Sequence, residues 1–283
     1  MMILRRIQYT APDTLSEALA ELAGEERSLP IAGGNGVLTL LKRGELNTSH
    51  LVDIGRIAEL RGVAVVDDGR LRVGALTTLT DLCIEPVVRT AHMPGMLTDA
   101  IDVTGDVQCR NRATVGGTVA SAHPGSDLSA ALLALDATVC IAGSDGRRVV
   151  SVADLFAGVA KIGRGELIVW VEIGPASPGS AYARFADRAN LTAICGVAVA
   201  VAPAPDNTVA GVAVAITGAL AAPRRLPEVE RALIGLPLPV KLDVTIADPF
   251  VSTTAASADY RAHLAGVMAQ RAFDTAVGRA RTA

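Results

Sequence analysis

Apolar and polar positions along this chain fall into short, sharply bounded runs. Residues 13–22 set Leu15, Ala18, Leu19 and Leu22 at helical spacing behind the cap residues Asp13 and Thr14, and predict a helix. Residues 28–31 read as a strand, 37–42 as a short, mostly apolar helix, and 50–54 as a second strand. Residues 63–66 and 71–74 flank Asp67-Asp68-Gly69, a hairpin signal. A helix begins over 77–82, and 95–103 reads as another. Asp127 stands where the N-cap of a helix over 128–135 is expected. Residues 137–141 and 147–150 flank Ser144-Asp145-Gly146, a second hairpin, and 166–173 is a strong strand.

Residues 174–180, rich in Gly, Pro and Ser, are the best linker in the chain. Beyond them the pattern changes. Residues 181–186, 195–201 and 209–217 predict strands rich in Ala and Val, with a hairpin turn at 203–207. Residues 226–234 and 258–279 predict helices, the second long and amphipathic. Strands and helices in separate runs imply an α+β second domain.

Composition narrows the picture. A chain of 283 residues can hold two domains and a sizeable core. Half of its residues are apolar but only 3% are aromatic, so Ala, Val, Leu and Ile must build that core. The formal net charge of −3 offers no basic field for nucleic acid. No run approaches the ~20 apolar residues of a spanning helix, so no membrane insertion is expected. Met1-Met2-Ile3-Leu4-Arg5-Arg6 carries charge where a signal peptide needs its apolar run, which reads as cytoplasmic. Cys83, Cys109, Cys140 and Cys195 form no C-x-x-C pair and read as buried small hydrophobes rather than cluster or zinc ligands. His50, His92, His123 and His263 are equally scattered, and only His123 lies near a candidate site.

The candidate chemistry lies in two glycine turns. Ala32-Gly33-Gly34-Asn35-Gly36-Val37 follows the apolar run 29–31, and Thr114-Val115-Gly116-Gly117-Thr118 follows Arg110-Asn111-Arg112. Glycine lets a backbone turn tightly and lets its amides approach an anion. Two such turns with Asp127 downstream suggest one phosphate-rich ligand gripped from two places. A Rossmann fold is the obvious rival, with Gly34-Asn35-Gly36 and Asp53 at about the right distance. It needs a third small residue where this chain has Thr39, its helix is short, and it leaves the second Gly-Gly unexplained. Both turns could also be plain connections, and Asp127 a plain helix cap. Arg110 and Arg112 could bind diphosphate or tie down carbonyls, the latter favoured.

At these residues the chain resembles the FAD-binding medium subunit of the aerobic carbon monoxide dehydrogenase and xanthine dehydrogenase group of molybdenum hydroxylases. The matching stretches are 32–34, Leu51-Val52-Asp53-Ile54, 73–78, 106–117 and 127–136, with looser matches over 182–199 and 257–272. The block from Gln108 to Gly117 is the most specific. The resemblance implies an α+β fold, with a PCMH-type FAD-binding domain of two subdomains over 1–175 (about 1–60 and 61–175). A smaller CO-dehydrogenase-flavoprotein-like domain over 180–283, an antiparallel sheet plus helices, completes it.

It further implies FAD as cofactor. Ala32, Gly33, Gly34, Asn35, Gly36 and Val37 would wrap the pyrophosphate. Thr114, Gly116, Gly117, Thr118 and Ser121 would close on the diphosphate and ribityl region, Asp127 would bind the adenosine half, and the strand with Leu167 and Ile168 would line the flavin. Gly116→Val would then abolish flavin retention with little loss of fold. Such subunits pass electrons from the iron–sulfur clusters of a 2Fe-2S small subunit to an external acceptor, while a separate large subunit holds the molybdenum cofactor. No catalytic side chain is required, because the flavin carries the redox chemistry.

The departures cluster at the flavin. Asn35-Gly36 replaces a Thr-Asp or His-Ser pair, and Thr118 replaces an Asn or Asp. Arg188-Ala189-Asn190-Leu191-Thr192 lacks an expected aromatic, and Phe156-Ala157-Gly158-Val159 departs from Phe-x-Gly-Pro. Weakened FAD binding, or a flavin with a more open face, is expected. The alternative is a divergent stand-alone member that binds or converts another small molecule in the inter-domain cleft.

Overall fold

The structure is a computed structural model that describes residues 6–66, 68–89, 95–174, 179–189, 191–242 and 244–282. Asp67 of the first hairpin turn, His92, residues 175–178 of the linker and Asn190 lie outside the described residues.

Three sheets organise the described residues. The first is parallel, built from β1 (Gln8–Thr10), β2 (Ser28–Ile31) and β3 (His50–Asp53), with β3 in the centre. Its crossovers are α1 (Leu15–Gly24) and α2 (Asn35–Arg43). Thr14 and Glu17 close a reciprocal capping box at the start of α1, and Leu15, Ala18 and Leu22 form the buried stripe of that helix.

The second sheet is antiparallel, in the order β4-β5-β8-β6-β7, from β4 (Val63–Val65), β5 (Leu71–Gly74), β6 (Thr138–Gly143), β7 (Gly146–Ser151) and β8 (Leu167–Ile173). Between β5 and β6 the described residues form six helices: α3 (Leu79–Ile84), α4 (Pro86–Arg89), α5 (Gly95–Val103), α6 (Val107–Arg112), α7 (Val115–Ser121) and α8 (Asp127–Ala134). α9 (Val152–Phe156) joins β7 to β8. The sequence block 106–117 is therefore mostly helical, and what reads as a second glycine turn is the first turn of α7.

The third sheet, β12-β11-β10-β9, is antiparallel: β9 (Ser180–Ala186), β10 (Ala193–Pro203), β11 (Val209–Thr217) and β12 (Arg224–Arg225). α10 (Pro227–Leu233) and α11 (Ala258–Thr282) follow. α11 buries Leu264, Met268, Ala272 and Phe273 against one face of this sheet. The opposite face turns Tyr182, Ala198, Ala213 and Ala215 into the core that also holds Leu128 and Leu132 of α8. Small alanines on that face let the helices approach closely.

The seam between these parts is electrostatic as well as apolar. Asp99 of α5 pairs with Arg279 of α11 through both carboxylate oxygens, at 2.7 and 2.9 Å. Asp127 pairs with Arg184 at 2.9 Å, and Asp136 pairs with Arg225. In all three pairs the acid precedes the linker and the arginine follows it.

Candidate functional site

A cavity of about 240 Å³ opens where the first glycine turn meets the segment before α7. Ala32 and Gly33 line it from one side, and Asn111, Arg112 and Thr114 from the other. Asp53, Gly55, Arg61, Leu76 and Thr78 complete the walls. The size suits the phosphate and sugar portion of a dinucleotide; a whole drug-sized ligand usually takes 300 Å³ or more.

The first turn presents amides. Gly34 is the N-cap of α2 and sits at φ +84°, a left-handed backbone that glycine adopts without strain. The amides that open α2 have no helical partners and carry the positive end of its dipole. Gly36 faces open space, and Asn35 and Gly36 are exposed. Gly33 serves packing instead: a Cβ there would overlap the carbonyl oxygen of Arg112. Side-chain bonds hold the turn on α6. Arg112 Nε donates to Gly33 O at 3.2 Å, and Asn35 Nδ2 donates to Cys109 O at 3.1 Å. Arg110 donates to Thr104 O and Gly105 O, so both arginines fasten carbonyls.

The second Gly-Gly differs in kind. Val115 N–H donates to Thr77 O, Gly116 N–H to Ala75 O, Gly117 N–H to the Thr114 hydroxyl, and Thr118 N–H to Thr114 O, all within 3.1 Å. Every amide of that turn is used internally, so none remains for an anion. Gly116 is buried against Ala75, and a Cβ there would collide with it. This corrects the expectation that Gly116→Val would spare the fold. Gly117 and Ser121 are exposed on α7, and Thr118 half so.

Asp127, Leu167 and Ile168 lie outside the lining of this cavity. Asp127 is 3% exposed and is the first residue of α8, with Ser126 in the cap position. Its Oδ1 accepts from the Tyr182 hydroxyl at 2.6 Å, and its Oδ2 accepts from Arg184 at 2.9 Å and Thr104 at 3.3 Å. Burial pushes this carboxyl above the usual range, while Arg184 and the hydrogen bonds oppose that rise. Three of its acceptor positions are thus used within the fold, and the carboxylate is buried. Ile168 is buried in the main core and Leu167 in the core beneath the first sheet.

Asp127 also governs a loop. Arg184 donates to Leu191 O at 2.8 Å as well as to Asp127, and Leu191 sits at φ +58°. On the neighbouring loop, Pro124 O accepts from Gly218 N and from the Thr217 hydroxyl. His123 Nδ1 accepts from Gly125 N at 3.1 Å, and burial lowers the pKa of that ring.

The cavity wall shows what the spacing of motifs could not. Thr78 and Thr114 meet as an isolated antiparallel bridge, although they belong to different connections. Asp53 and Arg61 arrive from the end of β3 and the turn before β4. Of these, only Asp53 stood in a motif, at the close of Leu51-Val52-Asp53-Ile54.

A parallel sheet with an open helix start, backed by an antiparallel sheet and a helix-covered third sheet, defines an α+β protein whose helix start suits an anionic ligand. Comparison with known proteins gives the class a family. Residues 5–176 match the model for the FAD binding domain in molybdopterin dehydrogenase, and residues 180–276 match the CO dehydrogenase flavoprotein C-terminal domain. The chain is 31% identical to the carbon monoxide dehydrogenase medium chain of Hydrogenophaga pseudoflava, over 98% of this chain and 99% of that one. It is 31% identical to the glyceraldehyde dehydrogenase medium chain of Sulfolobus acidocaldarius, over 94% and 96%. A solved structure of carbon monoxide dehydrogenase from Hydrogenophaga pseudoflava superposes with a TM-score of 0.88 at 29% identity, over 98% of this chain and 99% of the other. The chain belongs to the FAD-binding medium subunits of the molybdenum hydroxylases, an oxidoreductase family of flavoprotein subunits. Among the described residues no helix is long and apolar enough to cross a membrane.

Proposed function

We propose that this chain is the FAD-carrying electron-transfer subunit of a heteromeric molybdenum hydroxylase. The observation that carries the reading is the cradle itself: open amides at the start of α2 above a cavity walled by Arg61, Asn111 and Arg112. The amides of residues 34–37 and the cavity residues Ala32, Gly33 and Thr114 would hold the diphosphate. The exposed side of α7, with Gly117, Thr118 and Ser121, would border the ribityl chain. FAD supplies one- and two-electron redox chemistry when bound, and the protein's part is to bind, orient and shield it. We further propose a division into a domain over 1–175 and one over 180–283. Cytoplasmic residence and two separate partners, a large molybdenum-cofactor subunit and a small 2Fe-2S subunit, belong to the same reading. Medium chains of this kind are named in several dehydrogenase complexes among its relatives.

The absorbance of the purified chain from 300 to 550 nm, before and after FAD addition and desalting, tests this. Retained flavin bands support the reading. A colourless chain that ignores FAD favours a second one: a divergent member that takes another phosphate-bearing ligand in the same cradle. Asn35 favours that second reading, because its amide is committed to Cys109.

A further inference from the structure

The parallel sheet is well covered on one face and half open on the other. Val52 packs with Leu15, Ala18 and Leu22 of α1, and the Thr10 hydroxyl donates to Glu21 of that helix. Side chains alternate along a strand, so Leu51 points the opposite way, and its register partners Tyr9 and Leu29 share that face. The crossovers through α1 and α2 run in opposite directions along the sheet, and right-handed connections then place α2 over the Leu51 face. The cover is thin. α2 carries Val37, Leu38, Leu40 and Leu41 within nine residues, yet none of its residues is buried. Leu38 is 44% exposed and Tyr9 60%. A helix this short is marginal in water unless its apolar side is packed, and an exposed aromatic on the same face as an exposed leucine suits a protein partner.

The rim of this face is basic. Lys42 and Arg43 close α2, and Arg56 lies within electrostatic reach of the Tyr9 hydroxyl. Arg43 meets the exposed Glu45 at 3.9 Å, and no carboxylate pairs with Lys42 or Arg56 among the described residues. Asp53, two residues after Leu51 on the same face, accepts from Gly55 N and from the Tyr9 hydroxyl.

We propose that the face formed by Tyr9, Leu29 and Leu38 is the docking surface for a protein partner that presents an apolar ridge flanked by carboxylates, and that this partner is the chain that delivers electrons. The partner's role rests on the electron-transfer function proposed above; the surface itself does not. A second copy of this chain fits less well, because a twofold pairing of the same face would set one basic rim against the other. Position favours the electron donor. Leu38 Cδ1 stands 3.1 Å from where a Cβ on Gly34 would be, so a chain seated on Leu38 stands beside the start of α2 and its open amides.

The test titrates the full chain with the small iron–sulfur partner proposed above, and follows hydrogen exchange along α2. Leu38→Asn removes the apolar anchor without adding charge, and Lys42→Glu reverses the rim. Val159→Asn is the control, since Val159 is exposed but lies after α9. Matching circular dichroism and melting midpoints establish that all three variants fold. Leu38→Asn is expected to raise the Kd for the small partner on the order of tenfold. Lys42→Glu should raise it several-fold at low salt and less at about 0.5 M salt, while Val159→Asn stays within about twofold. The α2 amides should exchange more slowly once the partner is bound. Unchanged affinity in folded Leu38→Asn and Lys42→Glu chains overturns the proposal, and flavin retained by the same complex leaves the FAD reading intact. Loss of a self-associated dimer, or of the large partner alone, gives the face to another occupant and likewise overturns it. A wild-type chain that does not bind the small partner does the same. Weakened small-partner binding in the variants, in a complex that never carries flavin, sustains the docking surface and overturns the FAD reading.

Discussion

A Cβ placed on Gly116 would stand 2.6 Å from the Cβ of Ala75 and 2.9 Å from its carbonyl oxygen. The same carbonyl accepts the Gly116 amide at 2.9 Å. This glycine exists so that the start of α7 can lie on the connection after β5, and Gly116→Ala should destabilise the fold by about 1–3 kcal/mol through overpacking. Thermal unfolding followed by circular dichroism measures it. Ala75→Gly in the same chain should restore part of the loss, because it removes the nearest atom. A Gly116→Ala protein that melts like the wild type but loses FAD would return this residue to the ligand path.

Gly36 gives the opposite expectation. A Cβ there meets nothing within 4 Å. Gly36→Ala should fold normally and gain about 0.5 kcal/mol from helix propensity. If the start of α2 is the diphosphate cradle, the new methyl group narrows it, and FAD should bind several-fold more weakly in fluorescence titration. Unchanged FAD affinity would place the cofactor away from this turn.

Asp127 is expected to act as a clamp. Asp127→Ala strands Arg184, whose side chain is only 12% exposed, and frees the loop that Arg184 holds through Leu191. The cost should be about 3 kcal/mol, as for one lost partner of a buried pair. FAD affinity of the folded fraction, measured well below the melting midpoint, should stay near that of the wild type. A selective loss of FAD affinity without loss of stability would restore the adenosine role.

The thiols should divide into two classes. Burial pushes Cys195 up to about 12 and raises Cys140 as well. The thiolate is the reactive form, so at pH 8 only about one Cys195 in ten thousand is ionised. A disulfide-exchange reagent at that pH should therefore reach Cys83 and Cys109 in the native chain, and all four thiols only in denaturant. Burial also raises Cys109, which should react slowly, and more slowly still under FAD if its neighbour Asn35 lies at the cradle.

His123 should make its loop sensitive to pH. Burial holds its pKa below the usual 6.5, so the folded state disfavours the protonated ring. Any stability from this group is present above pH 6.5 and is lost as pH falls through the lower folded value. Protonation places a hydrogen on Nδ1, where Gly125 N–H now donates. The amide resonance of Gly125 should shift over that range, and His123→Gln should abolish the shift. A Gly125 resonance that titrates identically in the variant would remove His123 as its cause.

Much of this protein was settled by its sequence. Local periodicity and caps determined the elements. The strands at 28–31 and 209–217 occupy the residues their apolar pattern indicates, and Thr14 with Glu17 starts α1 where a capping box should. The ordered blocks around Ala32-Gly33-Gly34 and from Gln108 to Gly117 sufficed for the family, because such glycines answer to backbone geometry that few residues can supply.

The tertiary structure alone decided what each glycine and each acid is for. Gly36 and Gly116 look alike in sequence, yet one faces open space and the other faces Ala75. Asp127 looks like a cap or a ligand until Tyr182 and Arg184, which lie beyond the linker, take its oxygens. Arg61 carries no signal until chain folding brings it to the same cavity as Gly33 and Thr114. The reason is physical. Whether a donor or acceptor is free depends on which distant group has already claimed it, and no local pattern records that claim.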